Sequence, residues 1–239
     1  MDVIAQGFRQ AFLLMASLDP ELYGIILLSL KVSGLALAIA TVLGLPLGAL
    51  LALRRLPLRS LIISVMNTFM GLPPVVVGLF LYILLSRSGP LGFLGLLYTP
   101  AAMVTAQAIL AFPIVFSLSL AAIVGVDPAI RLAARALGAT PWQETLTLIS
   151  EARYGIVAAV IAAFGRVSAE VGAVLMVGGN IAHYTRVMTT TIAMETDKGE
   201  FALATALGII LLAISLGVNV LLRQVQRRGG VEARFSAWD

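Results

Sequence analysis

Arg166 and Glu170 stand four residues apart inside one of the most apolar stretches of a 239-residue chain. On a helix that spacing puts both side chains on one face. Ionised groups in so apolar a setting face a partner, a bundle interior or a water-filled cavity. Two readings stand for the pair. It locks helices together, or it lines a path in which an arginine, partly neutralised by a glutamate, attracts an anion without holding it fast. The segment Asn180 to Glu200 follows, with the only histidine, His183, then Arg186, Lys198, the run Thr189-Thr190-Thr191, and the acids Glu195, Asp197 and Glu200. Hydroxyl and guanidinium donors suit a tetrahedral dianion. The three acids argue for transient passage rather than tight binding, and for any one residue an ordinary solvated loop is the plainer reading.

These groups must be positioned by elements that live in lipid. Apolar residues make up 60% of the chain and charged ones 12%, about half the ~25% usual in soluble domains. A polar coat cannot be assembled from so few charges. The predicted fold class is an all-α membrane protein, one transmembrane domain over residues 1–239. About 20 apolar residues cross a bilayer, and five runs qualify: Tyr23 to Leu53, Leu61 to Ser86, Pro100 to Val126, Tyr154 to Gly178, and Phe201 to Leu222. Before them, Val3 to Ser17 sets Gln6, Arg9 and Gln10 among Phe8, Phe12 and Leu13, the pattern of an N-terminal interfacial helix, with a sixth, marginal span as the other reading. Its n-region is not basic, so it reads as a retained segment rather than a signal peptide.

Ten basic residues (Arg54, Arg55, Arg59, Arg131, Arg135, Arg153, Arg223, Arg227, Arg228 and Arg234) fall on one side of the five spans, against Arg9, Arg87, Arg186 and Lys198 on the other. The richer side is cytoplasmic by the distribution of positive charge. That places the N-terminus outside and the C-terminus inside.

Prolines mark candidate bends. Pro73 and Pro74 in the second run and Pro113 in the third remove backbone donors, and the freed carbonyls must be buried or face a cavity. Bent helices suit a gate. Asn67 and Gln107 read as interhelical hydrogen-bonders, and Gly44-x-x-x-Gly48 has the spacing of close helix pairing, interrupted by Pro46.

The cytoplasmic loop, about residues 126–152, reads as two short helices. Asp127-Pro128 is a cap followed by proline, Gly138 stops the first helix, and Thr140-Pro141 starts the second. Ala133-Ala134-Arg135-x-Leu137-Gly138-Ala139 resembles the "EAA" loop of ABC importer permeases, with Leu132 in place of the family's glutamate and Leu148-Ile149-Ser150-Glu151 in place of its I-x-L-P. Gly71-Leu72-Pro73-Pro74-Val75-Val76-Val77-Gly78 is similar to the L-P-P-x-V-x-G segment of molybdate, tungstate and sulfate permeases. Arg166 through Ala173, with Gly179-Asn180-Ile181, resembles their R-x-x-x-E-x-G-A and G-N-I segments. The stretch from His183 to Gly199 is most similar to the tungstate branch.

The resemblance implies a permease subunit of an ATP-driven oxyanion importer in a bacterial or archaeal cytoplasmic membrane. It implies a coupling helix at Ala133, Ala134, Arg135 and Gly138 that sits in a groove of a cytoplasmic ATPase. It implies a translocation path or gate at Pro73, Pro74, Arg166, Glu170 and Asn180, and contacts to substrate or binding protein at His183, Arg186, Thr189 and Thr190. The implied partners are a second copy of the chain, two ATPase subunits that bind the ATP and Mg, and an extracytoplasmic binding protein. The chain itself has no G-x-x-x-x-G-K-[ST] phosphate loop, no cysteine and one histidine. It is therefore expected to hold no cofactor or metal, and not to be an enzyme. The alternative is an ion-coupled secondary transporter, which predicts two similar halves and several deep carboxylates; only Glu170 is deep.

Overall fold

The computed structural model describes residues 20–54 and 57–227, together with Ala5, Phe8, Arg9, Phe12, Leu13 and Ala16. The expected interfacial helix at Val3 to Ser17 lies mostly outside the described residues. Among the described residues there are nine α-helices and no strand. They are α1 (Pro20–Leu53), α2 (Arg59–Phe69), α3 (Pro74–Leu85), α4 (Pro100–Val124), α5 (Pro128–Ala136), α6 (Pro141–Ser168), α7 (Gly172–Gly178), α8 (Met188–Asp197) and α9 (Phe201–Arg227). Helices α1, α4, α6 and α9 are long and apolar enough to cross a membrane, and α2 with α3 makes a fifth if that broken pair counts as one span.

Two expected spans are interrupted. The second breaks at Met70–Pro73, because Pro73 takes an extended conformation (φ −65°, ψ 123°) ahead of Pro74, which opens α3. A residue before proline is driven out of the helical region. The fourth begins earlier than expected, as α6 runs unbroken from Pro141, and it stops at Ser168. Glu170 therefore stands in the break before α7 and not on a helix face, although Arg166 is still beside it.

The chain divides into two compact units. The first takes residues 1–36, 72–110 and 165–218. Its core joins Val32 of α1, Val77 and Leu81 of α3, Met103 and Ala106 of α4, and Ala173, Val174 and Val177 of α7. A second cluster in the same unit sets Leu22 and Met188 against Ala206, Leu207 and Ile210 of α9. Small residues make the contacts close: a methyl group at Gly78 would lie 2.9 Å from the Cα of Ala173.

The second unit takes residues 37–71, 111–164 and 219–239. Ala49 of α1, Ile123 of α4 and Ala152 and Ile156 of α6 form one of its clusters, and Leu51, Phe116 and Leu120 another. The Gly44-x-x-x-Gly48 pair is spent within this unit. A methyl at Gly48 would meet the Phe116 carbonyl oxygen at 2.7 Å, so α1 and α4 approach backbone to backbone.

Candidate coupling hairpin and translocation site

The loop of residues 126–152 folds as the sequence predicts at its caps. The Asp127 carboxylate accepts the Ala129 N–H at 2.8 Å and Pro128 opens α5. At the other end Gly138 (φ 80°) donates to the Arg135 carbonyl and Ala139 to the Ala134 carbonyl, both at 3.0 Å. That paired closure needs a left-handed residue, which glycine supplies without steric cost. Thr140 and Gln143 then exchange side chain for backbone, at 2.8 and 3.3 Å, and start α6.

Within the hairpin the four coupling candidates divide. Ala133 is exposed, as are Ala129, Leu132, Ala136 and Leu137, while Ile130, Arg131 and Ala134 are half-buried. The exposed positions form an apolar stripe at helical spacing, ending in Leu137 at 88% exposure. Arg135 is exposed too, but its guanidinium reaches across to α6. Its Nε and Nη2 donate to the two carboxylate oxygens of Glu144 at 2.8 and 3.1 Å. Arg131 Nε donates to the same carboxylate, and its Nη2 reaches the carbonyl of Leu53 at 3.4 Å. The hydrogen bond to Glu144, and then that residue's charge, raise the Arg135 pKa above its already high value. A bidentate and a single charge-assisted bond thus converge on one buried carboxylate. Arg59 Nε donates to the Leu51 carbonyl at 3.0 Å, so two arginines donate to carbonyls of the last turn of α1. Sequence reading missed Glu144. The signal was Arg131 and Arg135 at i, i+4 on one helix, with an acid in the first turn of the next.

The break between α6 and α7 is held by side chains from three directions. Glu170 Oε1 accepts the Ala173 N–H at 3.0 Å, so this acid caps the helix that it precedes. Its Oε2 lies 3.4 Å from Arg166 Nη1. The Glu170 side chain is 2% exposed and that of Arg166 34%, so the cation keeps an open side while the acid is enclosed. Gln107 of α4 donates to the Val167 carbonyl at 3.1 Å, the interhelical bond expected of it. Thr189 Oγ1 donates to the Glu170 carbonyl at 2.9 Å. Three of these bonds go to backbone groups, and those to the Ala173 N–H and the Glu170 carbonyl pair groups at the interruption itself.

The segment after α7 is more ordered than a loop. Asn180 adopts φ 50°, and its Oδ1 accepts the Thr190 hydroxyl at 2.9 Å. Thr185 donates to the Gly178 carbonyl at 2.6 Å, and Met188 N–H donates to Ser29 Oγ at 2.8 Å. Thr189, Thr190 and Thr191 are all buried. Of the candidate contacts here, Thr189 and Thr190 direct their hydroxyls into the chain. His183 and Arg186 line a cleft of about 200 Å³ with Glu21, Gly24 and Tyr184, where Arg186 Nη1 lies 3.7 Å from Glu21 Oε1. Pro73 and Pro74 stand at the break before α3, and Pro73 provides its carbonyl to the N–H groups of Val76 and Val77 at 3.0 and 3.3 Å.

Residues 44–229 match the family described as binding-protein-dependent transport system inner membrane component. The chain belongs to that family. It is a permease subunit of an ABC importer, an inner-membrane component and not an enzyme. Over 95% of its length it is 42% identical to the tungstate uptake system permease protein TupB of Peptoclostridium acidaminophilum, covering 99% of that protein. It is 48% identical to a probable anion ABC transporter permease protein of Haloferax volcanii, over 84% of this chain and 88% of the other. A molybdenum transport system permease protein, ModB of Escherichia coli, is 33% identical over 87% of this permease and 96% of its own length. Among solved structures, the MetNI methionine ABC transporter aligns with a TM-score of 0.73 at 20% identity, covering 87% of this chain and 95% of that one. That last likeness establishes the fold.

Proposed function

We propose that this permease carries a tetrahedral oxyanion, tungstate or molybdate, into the cytoplasm of a bacterium or archaeon. The observation that carries the reading is the end-to-end likeness to a tungstate uptake permease. In this reading residues 1–239 form a single permease domain and two copies make the pathway. Two separate ATPase subunits bind ATP and Mg, and an extracytoplasmic binding protein delivers the ion. The N-terminus lies outside and the C-terminus in the cytoplasm. ATPase closure draws on α5 at Ala133, Ala134, Arg135 and Gly138. Pro73, Pro74, Arg166, Glu170 and Asn180 form the path or its gate, with Arg166 as the half-open cation and Glu170 limiting how strongly it holds the ion. His183 and Arg186 meet the incoming ion or the binding protein, and Thr189 and Thr190 hold the backbone on which they stand.

Competition uptake tests this. Cells expressing the chain with its ATPase and binding protein take up labelled tungstate, and excess molybdate competes more strongly than sulfate. Uptake that persists without the ATPase and is abolished by an uncoupler would identify an ion-coupled carrier instead.

A further inference from the structure

The clasp between α5 and α6 suggests a role for Glu144 that the family resemblance does not supply. Glu144 is 8% exposed, yet both of its oxygens are engaged, Oε1 by Arg131 and Arg135 and Oε2 by Arg135. Arg131 also reaches the end of α1 through the Leu53 carbonyl. One carboxylate therefore ties three elements: α5, α6 and the last turn of α1. The stripe Ala129, Leu132, Ala133 and Ala136, with Leu137 beyond it, is exposed, whereas Ile130, Arg131 and Ala134 are half-buried.

A nine-residue helix is too short to hold its own orientation by intrinsic stability. Few apolar contacts fix it either, because no residue of α5 is buried. The rotation of α5 about its axis must then come from directional bonds. Arg131 and Arg135 lie one turn apart, and with both drawn to Glu144 the apolar stripe can present only one way.

We propose that Glu144 is the positioning residue of the coupling hairpin. It sets the roll of α5, so that force applied to the Leu132–Leu137 face passes into α6 and the end of α1 instead of turning α5 in place. This rests on the reading of α5 as the ATPase contact. Glu144 itself touches neither ion nor nucleotide.

The test uses two readouts on the full chain. With no native cysteine, spin labels at Ala129→Cys and Leu146→Cys, both exposed positions, report the α5–α6 geometry. With Glu144 present the distance distribution is narrow, and with Glu144→Gln it broadens. An unchanged distribution would overturn the clasp. In the transporter reconstituted with its ATPase and binding protein, Glu144→Gln lowers tungstate moved per ATP hydrolysed at least fivefold. Arg135→Gln does so to a similar extent, and the double variant is no worse than either. Misfolding would reduce uptake and hydrolysis together and leave the ratio in place, and a wild-type ratio in Glu144→Gln would also reject the proposal. A wild-type chain that recruits no ATPase would sink the importer reading, while the label distances still decide whether the clasp exists.

Discussion

The Thr189 hydroxyl donates to the backbone carbonyl of Glu170 at 2.9 Å, across 19 positions of sequence. The acceptor lies in the break between α6 and α7, where no helical N–H is available to it. The donor belongs to the first turn of α8. Replacing Thr189 with valine keeps the shape and removes the donor, which leaves a buried carbonyl unpaired at about 1–3 kcal/mol. We expect a lower unfolding midpoint in detergent for Thr189→Val and a midpoint near wild type for Thr189→Ser. Equal midpoints for the two would mean that the bond contributes nothing.

Arg166 keeps an open side beside an enclosed acid, and a path for an anion needs such a cation. Arg166→Ala should reduce tungstate uptake at least tenfold while the transporter still assembles and copurifies. Undiminished uptake in that variant would remove Arg166 from the path. Glu170→Ala is expected to be harsher on folding, since it strips the cap from the Ala173 N–H as well as the partner of Arg166.

Close backbone approach predicts opposite signs for two glycines of α1. Gly48→Ala places a methyl 2.7 Å from the Phe116 carbonyl oxygen, an overpacking that costs about 1–3 kcal/mol. Gly34→Ala meets nothing within 4 Å and gains about 0.5–1 kcal/mol of helix stability. Thermal unfolding of the two variants side by side checks the difference, and the same sign for both would contradict the packing described.

At the hairpin, Gly138 adopts φ 80° and Leu137 projects from the end of α5. Gly138→Arg strains the left-handed turn and Leu137→Asp charges the apolar stripe. Both should abolish copurification of the ATPase while the permease remains in the membrane fraction. Retention of the ATPase by both variants would move the contact elsewhere.

The charge distribution predicts sidedness. Because the chain has no cysteine, Leu137→Cys should react with an impermeant maleimide only from the cytoplasmic side and His183→Cys only from outside. Labelling of both from one side would refute the five-span arrangement.

Much of this was legible in the chain. Apolar runs located α1, α4 and α9 to within about five residues, because a span in lipid needs little beyond length and hydropathy, whereas the fourth run missed the start and end of α6 by ten residues or more. The caps at Asp127, Gly138 and Thr140 were equally readable, since each acts on its immediate neighbours. What sequence hid were bonds whose partners are distant: Thr189 to the Glu170 carbonyl, Gln107 to the Val167 carbonyl, and two arginines of α5 to Glu144. The break at Ala169–Val171 was missed for a related reason. A four-residue spacing of Arg166 and Glu170 looks helical whether or not the last residue leaves the helix to cap the next one. The threonine run read either as hydroxyl donors to a passing anion or as part of an ordinary solvated loop, and its hydroxyls donate to local and distant carbonyls.

Leu137 stands 88% exposed on the face proposed to be cytosolic. A copy synthesised in excess of its ATPase would leave that knob uncovered in water, the kind of surface that chaperones hold and proteases attack. The hairpin would then do more than transmit force. It would make the lifetime of each newly made subunit depend on finding its counterpart, and so keep the two polypeptides in matched supply.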